Sequence, residues 1–261
     1  MLTGLSLDLF GQQLLSALKD SQVETGHVIV SPRPTTLAFV QLRNGQAHYT
    51  FFDENSAGRM LQALDMPELP AEVSTLYFGG ISLVSEPAAL AYASLCAKHQ
   101  KHCVVMLDPN IRPDLITDEA RYRRRLDAMM RQADIIKVSD DDLRWIQPGP
   151  PGLSKKVDRL IEKGSKLVIL TQGDSGATAY LQDAAEVSVP AERVEIVDTV
   201  GAGDAFNAGV LAKLSEMGVL TKTALTTLSG DHARLALDFG SRIAAFTVAR
   251  AGANPPWRDE I

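Results

Sequence analysis

The feature that most constrains the fold is an alternation of short apolar segments with helical segments between residues 75 and 171. We predict strands in the apolar segments, at Leu76–Phe78, Val104–Leu107, Ile135–Val138 and Lys166–Leu170. We predict helices between and before them, at about Glu86–Lys101, about Asp118–Gln132, from Asp140 onward and at about Leu153–Lys163. Such an alternation is typical of an α/β fold with a doubly wound, mostly parallel sheet that carries helices on both faces.

The first 60 residues carry a different pattern. Asp8 precedes an apolar repeat of three and four residues, LFGQQLLSALKD, which predicts a helix with Asp8 as its N-cap. Two β segments follow, Thr35–Leu42 and Gln46–Phe52, and the dipeptide Asn44-Gly45 between them is a strong hairpin signal.

The aromatic side chains of this hairpin are expected to be exposed, namely Tyr49, Phe51 and Phe52. Two interpretations stay open at this point. The hairpin packs on a core of its own, or it forms a small sheet that covers a ligand site or a partner subunit.

Composition and charge restrict the function. The chain has 261 residues, of which 45% are hydrophobic, and this suits one large α/β domain. The net charge of −6 comes without a basic stripe, so we expect no nucleic-acid partner. We also expect no membrane partner, because no apolar run reaches 18 residues and the start does not resemble a signal peptide. Two cysteines give no disulfide framework, so the cytoplasm is the expected location.

Polar side chains mark the ends of the predicted strands: Asp108, Asn110, Lys137, Ser139 and Thr171. In doubly wound sheets, ligands bind beyond the carboxyl ends of the strands. The pattern therefore predicts a ligand site at this edge.

The segment Val197–Gly209, VDTVGAGDAFNAG, carries the chemistry. We predict a β-type run that ends at Asp198, a glycine-rich turn over Gly201-Ala202-Gly203, and a helix that begins near Asp204. Free N–H groups at such a helix start bind anions, and the adjacent carboxylate can accept a proton from an attacking hydroxyl group. In the alternative interpretation, Asp204 only caps a helix. The chain contains neither a P-loop motif nor a Rossmann fingerprint.

The run from Asp198 to Phe206, DTVGAGDAF, closely resembles the C-terminal signature of the ribokinase-like (PfkB-type) carbohydrate kinases. Four further segments are similar to motifs of that family: DPNIRP from Asp108, KVSDDD from Lys137, TQGDSG from Thr171 and TVARAGA from Thr247. The resemblance implies a single ribokinase-like α/β domain over residues 1–261, with residues of about 27–53 as a small β lid.

The resemblance also implies roles for individual residues. Asp204 would be the general base at the sugar hydroxyl, and the anion hole would consist of Gly201, Ala202 and Gly203. ATP would be bound by Thr171, Gly173, Gly176, Lys137 and Ser241. The sugar would be bound by Asn110, Arg112 and Asp204. In the alternatives from the residues alone, Arg112 is a surface ion-pairing residue and Thr171 caps a turn.

Two cation sites are implied in the same way. Asp142 would help to hold Mg²⁺ through water, although the acidic run Asp140–Asp142 is equally a favourable first turn of a helix. A monovalent cation such as K⁺ would be bound by Asp198 and the carbonyl groups of Val200, Thr247, Arg250 and Gly252.

One departure from the family pattern concerns the start. The run GLSLDLFG from Gly4 resembles a family motif that normally lies some tens of residues into the chain. The family's first strand, with its sugar-binding Asp, and its G-G-x-x-x-N turn are therefore expected to be absent from the 261 residues. Two interpretations stay open: the true start lies upstream, or the chain is a shortened relative with a compromised sugar site.

We predict an ATP-dependent sugar kinase that resembles fructokinases, with Mg²⁺ and ATP as cofactors. The alternatives are a 2-keto-3-deoxygluconate kinase and a non-catalytic nucleotide-binding relative with a compromised sugar site. The hairpin with its aromatic side chains is expected to pair with its copy in a homodimer.

Overall fold

The computed structural model of the chain describes residues 1–43 and 46–261. Side chains are described for all of these residues except those between 40 and 49. The chain divides into two compact units. The first comprises Met1–Pro70, Gly80–Lys98 and Arg112–Arg125, and the second comprises Ala71–Gly79, His99–Ile111 and Leu126–Ile261. The single domain expected from the sequence stays a prediction.

The first unit begins with two parallel strands, β1 (Thr3–Ser6) and β2 (Val28–Ser31), joined through helix α1 (Leu9–Asp20). The predicted N-cap is confirmed, because Asp8 Oδ1 accepts a hydrogen bond of 2.8 Å from the Gly11 N–H. The same carboxylate accepts bonds from the N–H and the hydroxyl of Thr35, at 2.9 and 2.6 Å. It therefore fixes the start of α1 against the chain that follows β2.

The predicted hairpin strands are confirmed as β3 (Leu37–Arg43) and β4 (Gln46–Phe52), which pair antiparallel from Leu37↔Phe52 to Arg43↔Gln46. The expected Asn44-Gly45 turn and the Tyr49 side chain lie outside the described residues. Phe52 is 59% exposed, whereas Phe51 is only partly exposed, contrary to the sequence-based expectation. Adjacent residues of a strand point to opposite faces, so both rings cannot share one environment.

Helices α2 (Ala88–His99) and α3 (Glu119–Met130) are shorter than predicted. Helix α2 begins after Pro87 because the residue before a proline is disfavoured in helical conformation. The buried guanidinium of Arg125 donates to the carbonyl groups of Leu83 and Val84 and pairs with Glu86. This contact holds α3 against the segment that leads into α2.

The second unit contains a sheet of six strands in the order β10-β9-β8-β7-β6-β5. The strands are β5 (Thr75–Gly79), β6 (Val104–Asp108), β7 (Ile135–Ser139), β8 (Leu167–Thr171), β9 (Ala177–Leu181) and β10 (Glu186–Val189). Strands β5 to β8 pair in parallel, and β9 and β10 are antiparallel. The predicted mostly parallel sheet is confirmed.

The helices of this unit are α4 (Asp140–Ile146), α5 (Leu153–Glu162), α6 (Ala202–Glu216), α7 (Lys222–Leu225) and α8 (Gly230–Val248). One face of the sheet packs against α6 and α8 in a buried cluster that includes Met106, Ile169 and Phe206. Helices α4 and α5 contact β7 and β8, whose alternate residues Ile136 and Val168 are fully buried. Helices therefore pack against both faces, as the alternation predicts.

The β-type run predicted to end at Asp198 is wrong, since residues 190–198 form no strand. The N–H groups of Val197 and Asp198 instead both donate to the carbonyl of Val248, at 2.8 and 3.1 Å. These bonds to the end of α8 satisfy the two N–H groups without the hydrogen-bond ladder of a β-sheet. Among the described residues, no helix combines the length and the apolar character needed to cross a bilayer.

Candidate active site

The register of the parallel strands brings the strand-end side chains together. Leu107 lies beside Ile136, so Asp108 and Lys137 follow at adjacent positions of β6 and β7. Asp108 is two residues after Met106, and Lys137 is two residues after Ile135, so each pair points to the same face of the sheet. Met106 and Ile135 belong to the buried cluster under α6. Asp108 and Lys137 are therefore directed toward the face of the sheet that α6 covers.

Asp108 and Lys137 form a buried ion pair, with Lys137 Nζ 3.1 Å from Asp108 Oδ2 and side chains that are 8% and 2% exposed for Lys137 and Asp108. The amide Nδ2 of Asn207, on α6, donates to the same carboxylate oxygen at 2.7 Å. Burial raises the pKa of Asp108, and the charge of Lys137 and the bond from Asn207 oppose this effect. The pair thus fixes the Lys137 ammonium beside the start of α6.

Tyr77 on β5 connects this pair to Asp204. Asn207 Nδ2 also donates to the Tyr77 hydroxyl at 3.1 Å, and that hydroxyl donates to Asp204 Oδ1 at 3.3 Å. Tyr77 is 41% exposed as a whole, but desolvation around its hydroxyl, and then the charges of Asp108 and Asp204, raise its pKa well above the ordinary value. Tyr77 therefore stays protonated and remains a hydrogen-bond donor over the physiological pH range.

The start of α6 has the geometry of an anion site. Gly201 is the N-cap in the left-handed conformation, with φ of +81°, and α6 begins at Ala202. In the described part of the chain, the N–H groups of Gly203 and Asp204 donate to no protein acceptor. The N–H of Ala202 is 3.3 Å from the carbonyl of Thr199. Of the expected amide groups, that of Ala202 is thus engaged and that of Gly203 is available to an anion, and Asp204 adds a further available one.

Lys137 lies beside these amides: a Cβ atom added to Gly203 would be 3.4 Å from Lys137 Nζ. The Asp204 carboxylate is exposed in the first turn of α6. A solvent-accessible carboxylate, free amide N–H groups and a lysine ammonium thus meet at one helix start. This combination can take a proton from a hydroxyl group and stabilise a transferring phosphoryl group.

Asp198 joins two parts of the chain that are expected to bind a monovalent cation, those around Val200 and Gly252. Its Oδ1 accepts from the Val200 N–H at 3.0 Å, and its Oδ2 accepts from the Gly252 N–H at 2.9 Å. These N–H groups lower the pKa of Asp198. The structure therefore brings three of the five expected ligand residues to one place.

The other two expected ligand residues lie nearby in sequence, at the end of α8. The carbonyl of Thr247 accepts a hydrogen bond from the Arg250 N–H at 3.2 Å. The Arg250 guanidinium pairs with Glu260. The expected cation ligand is the backbone carbonyl group of Arg250. Binding of a cation by this set stays a prediction.

Asp142, the expected Mg²⁺ residue, has both carboxylate oxygens engaged. Oδ1 accepts from the Ile111 N–H at 2.7 Å and Oδ2 accepts from the Ser139 N–H at 3.1 Å, within a capping box. Among residues 1–43 and 46–261, no group of three or more His, Cys, Asp or Glu side chains is arranged to hold a metal. Asp142 therefore has a structural role at the start of α4, and its contact with Mg²⁺ through water stays a prediction.

The residues expected to bind ATP lie around the end of β8 and on α8. Thr171 Oγ1 is 3.5 Å from the carbonyl of Val138, and Gly173 is exposed with φ of +53°. Gly176 has φ of +93°, and a Cβ atom there would lie 2.1 Å from the Val189 carbonyl oxygen. Gly176 is thus required by the close approach of β10. Ser241 is half-buried on α8.

The expected sugar-binding residues differ in their placement. Asn110 follows β6 in the second unit, is half-buried and has φ of +43°. Arg112 belongs to the first unit, is exposed and precedes a short 3₁₀ turn at Pro113–Leu115. Contact of either residue with a sugar stays a prediction.

Sequence reasoning missed two residues of the site, Tyr77 and Asn207. Asn207 lies within the GAGDAFN run, three residues after Asp204, and this spacing puts both on one side of a helix. Tyr77 carries a weaker signal, a single polar atom in the apolar segment TLYFG. Its proximity to Asp204 depends on the pairing of β5 with β6, which the sequence pattern does not specify.

The chain is similar to carbohydrate kinases along nearly its whole length. The pattern of the family described as "pfkB family carbohydrate kinase" matches residues 2–260. The chain is 44% identical over 230 residues to a fructokinase of Rhizobium leguminosarum bv. trifolii, covering 87% of this chain and 69% of that protein. It is 34% identical to the probable chloroplastic fructokinase-6 of Arabidopsis thaliana, covering 95% of this chain and 64% of that protein. The chain thus spans about two thirds of the length of these relatives.

Solved structures show the same fold. The crystal structure of a fructokinase from Xylella fastidiosa with bound ATP has a TM-score of 0.89 at 22% identity, covering 97% of this chain and 79% of that one. A fructokinase from Vibrio cholerae O395 with fructose, ADP and calcium bound has a TM-score of 0.83 at 23% identity, covering 97% and 80%.

Proposed function

Because the chain belongs to the pfkB family of carbohydrate kinases, we propose that it transfers the γ-phosphate of ATP to a hydroxyl group of fructose. The observation that carries this proposal is the start of α6. There the exposed Asp204 carboxylate, the free N–H groups of Gly203 and Asp204, and the Lys137 ammonium meet.

In the proposed reaction, Asp204 accepts the proton of the attacking sugar hydroxyl as its oxygen forms a bond to the γ-phosphorus. The bond from this phosphorus to the β,γ-bridging oxygen breaks, and ADP leaves. Negative charge on the transferring phosphoryl oxygens is stabilised by the N–H groups of Gly203 and Asp204 and by Lys137. Lys137 is held in place for this purpose by Asp108, whose Oδ2 also accepts a hydrogen bond from Asn207.

We propose that ATP lies along the segment from Thr171 to Gly176, with Ser241 near its adenine. Mg²⁺, which neutralises phosphate charge when bound, would be held chiefly by the ATP phosphates and water, since such ions often use few protein ligands. Asp142 would contact that water shell. A monovalent cation would be bound by the carbonyl groups near Asp198, which stays anchored by its two backbone hydrogen bonds.

The proposal is tested by phosphoryl transfer from ATP to a panel of sugars, with wild-type protein and Asp204→Asn. We expect phosphorylation of fructose, and a loss of about 10²–10⁴-fold in kcat in the variant, which is the usual contribution of a general base. Asp238→Asn, an exposed residue of α8, serves as the matched control and should retain full activity. Unchanged turnover in Asp204→Asn would exclude Asp204 as the base.

The relatives favour fructose over 2-keto-3-deoxygluconate, because the proteins at 44% and 34% identity carry fructokinase names. The free amides of Gly203 and Asp204 favour a catalytic protein over a non-catalytic nucleotide-binding relative. Titration calorimetry with ATP and with fructose separates the catalytic protein from the non-catalytic nucleotide-binding relative. ATP binding without fructose binding would support the non-catalytic one.

The homodimer through the hairpin is also a proposal. Phe39 and Phe52 are 55% and 59% exposed, and their ring centroids are 5.5 Å apart in an edge-to-face contact. Sedimentation of wild-type protein and Phe52→Ser tests it, because a dimer held by these rings should dissociate in the variant. A monomeric wild-type protein at high concentration would exclude this dimer. The cytoplasmic location stays a prediction.

A further inference from the structure

We infer that Tyr77 is a positioning residue for Asp204, and that the hydrogen-bonded series Lys137–Asp108–Asn207–Tyr77 directs the phenol proton onto one oxygen of that carboxylate. The inference rests on the proposed function, in which Asp204 is the general base. It goes beyond that function because it assigns Tyr77 and Asn207 a defined task.

The direction of the hydrogen bonds follows from the inventory of donors. The amide nitrogen of Asn207 has two N–H groups, and they have two acceptors, Asp108 Oδ2 at 2.7 Å and the Tyr77 hydroxyl at 3.1 Å. The Tyr77 oxygen thus receives a hydrogen bond from Asn207. Its own proton is then free for Asp204 Oδ1, at 3.3 Å.

The orientation of the Asn207 amide is fixed by its other neighbour. Asp108 Oδ2 accepts from the Lys137 ammonium, and the nitrogen of Asn207 faces the same oxygen because a donor is required there. Asn207 is buried on α6 and Asp108 is 1% exposed, so water does not compete with these bonds. The series is therefore set from the buried ion pair outward to the exposed Asp204.

The consequence for Asp204 is that its two oxygens differ. Oδ1 accepts from Tyr77, whereas Oδ2 has no partner among the described side chains and can accept the proton of the sugar hydroxyl. A carboxylate held by one oxygen has less rotational freedom than a free one, so the proton-accepting oxygen is aimed before substrate binds.

Gly79 makes the position of Tyr77 sterically possible. A Cβ atom on Gly79 would lie 2.7 Å from the Tyr77 hydroxyl and 3.0 Å from the ring carbon that bears it. A methyl group there must displace the end of the phenol, and it would also lie 3.3 Å from the carbonyl oxygen of Asp108 on β6. Gly79→Ala therefore moves the hydroxyl away from Asp204 without removing it.

Steady-state kinetics test the inference. Tyr77→Phe removes only the hydroxyl and should lower kcat about tenfold, with the KM for ATP changed less than about twofold. Gly79→Ala should have the same effect, and the double variant should lose little more than either single variant. In the Asp204→Asn background, Tyr77→Phe should cause no further loss. Tyr180→Phe, a phenol on β9 of the same sheet, is the matched control.

A readout independent of turnover separates this inference from the proposed function. With ¹³C-labelled aspartate, the Asp204 carboxyl resonance is identified by its absence in Asp204→Asn. That resonance should shift in Tyr77→Phe and stay unchanged in Tyr180→Phe. A loss of transfer in Asp204→Asn together with full kcat and an unshifted resonance in Tyr77→Phe would overturn the inference and leave the kinase function standing. If wild-type protein phosphorylates no sugar, the proposed function fails, and the resonance alone decides the Tyr77 contact.

Discussion

The ammonium group of Lys137 lies 3.1 Å from Asp108 Oδ2, and both side chains are less than one tenth exposed. Lys137→Met leaves a buried carboxylate without its cation, so we expect the free energy of unfolding to fall by about 3–5 kcal/mol. Urea unfolding measures this change. Adding Asp108→Asn should restore part of the loss, because the remaining partner is then neutral.

The exposed pair Arg258–Glu216, with N···O of 3.6 Å, offers a matched control. Arg258→Met should change the free energy of unfolding by less than about 0.5 kcal/mol, since exposed ion pairs contribute little. If the Lys137 and Arg258 substitutions lowered the free energy of unfolding equally, burial would not determine the energetic contribution of the Lys137–Asp108 pair.

The two glycines of the anion site should respond in opposite ways in stability. Gly201 has φ of +81°, and a Cβ atom there would lie 2.8 Å from the Ala253 Cβ, so Gly201→Ala should destabilise the protein by about 1–2 kcal/mol. Gly203 lies in the first turn of α6, and Gly203→Ala should be neutral or stabilising by up to about 1 kcal/mol.

Gly203→Ala should nevertheless lose activity, because the added methyl group lies beside Lys137, where the phosphoryl group is expected. We expect kcat/KM to fall at least about tenfold. Thermal unfolding and coupled kinase assays measure the two effects separately. A fully active Gly203→Ala variant would contradict the placement of the phosphoryl group.

Asp198 should contribute to the dependence of stability on pH. Its pKa in the folded protein is lowered from 3.8 by the N–H groups of Val200 and Gly252. Between the unfolded and folded pKa values, the unfolded chain binds more protons, so the stabilisation is complete above the unfolded value and is lost as pH falls through the folded value.

Asp198→Asn should accordingly lose stability at neutral pH and show a shallower decline below about pH 4 than wild-type protein. Denaturant unfolding at a series of pH values from 7 downward measures it, with Asp238→Asn as the exposed control. Parallel curves for the wild-type protein and Asp198→Asn would show that the backbone hydrogen bonds do not stabilise the ionised form.

Helices α6 and α8 approach closely at two glycines. A Cβ atom on Gly240 would lie 2.9 Å from the Phe206 carbonyl oxygen and 2.8 Å from Val210 Cγ2, and one on Gly209 would lie 2.9 Å from the Gly240 Cα. Gly240→Ala should therefore destabilise the protein by about 1–3 kcal/mol, despite the better helix propensity of alanine.

Urea unfolding again provides the measurement, and Ala208→Leu provides the control, because it enlarges an exposed position of α6. That control should stay within about 0.5 kcal/mol of wild-type protein. A Gly240→Ala variant as stable as wild-type protein would mean that the two helices can separate at little cost.

The periodicity of the sequence was sufficient for the parallel part of the sheet and for the helices between its strands, whereas α8 (Gly230–Val248), which packs on the sheet, was not predicted. Strands β5 to β8 begin and end within one or two residues of the predicted segments, because runs of buried apolar residues are local in the chain. The family membership and the α/β fold class are confirmed by the match over residues 2–260 and by the solved structures. Strands β9 and β10 were not predicted, since their segments are short and rich in alanine and polar residues.

The features of the GAGD motif are equally local in the chain. The GAGD run alone predicts a helix start with free amides and a carboxylate, because the turn and the first helical residues are consecutive. The hydrogen bond of Ala202 to Thr199 was not predictable, since it depends on the exact path of that turn.

The chain alone thus determined which residues we expect to supply chemistry: Asp204, the glycines before it, and Lys137 at a strand end. Only the tertiary structure decided their partners. Tyr77 meets Asp204 across 127 positions of the chain, and Asn207 meets Asp108 across 99. Sequence patterns report the periodicity of neighbours along the chain, whereas such contacts arise from strand register and helix packing, which bring distant residues within hydrogen-bond distance.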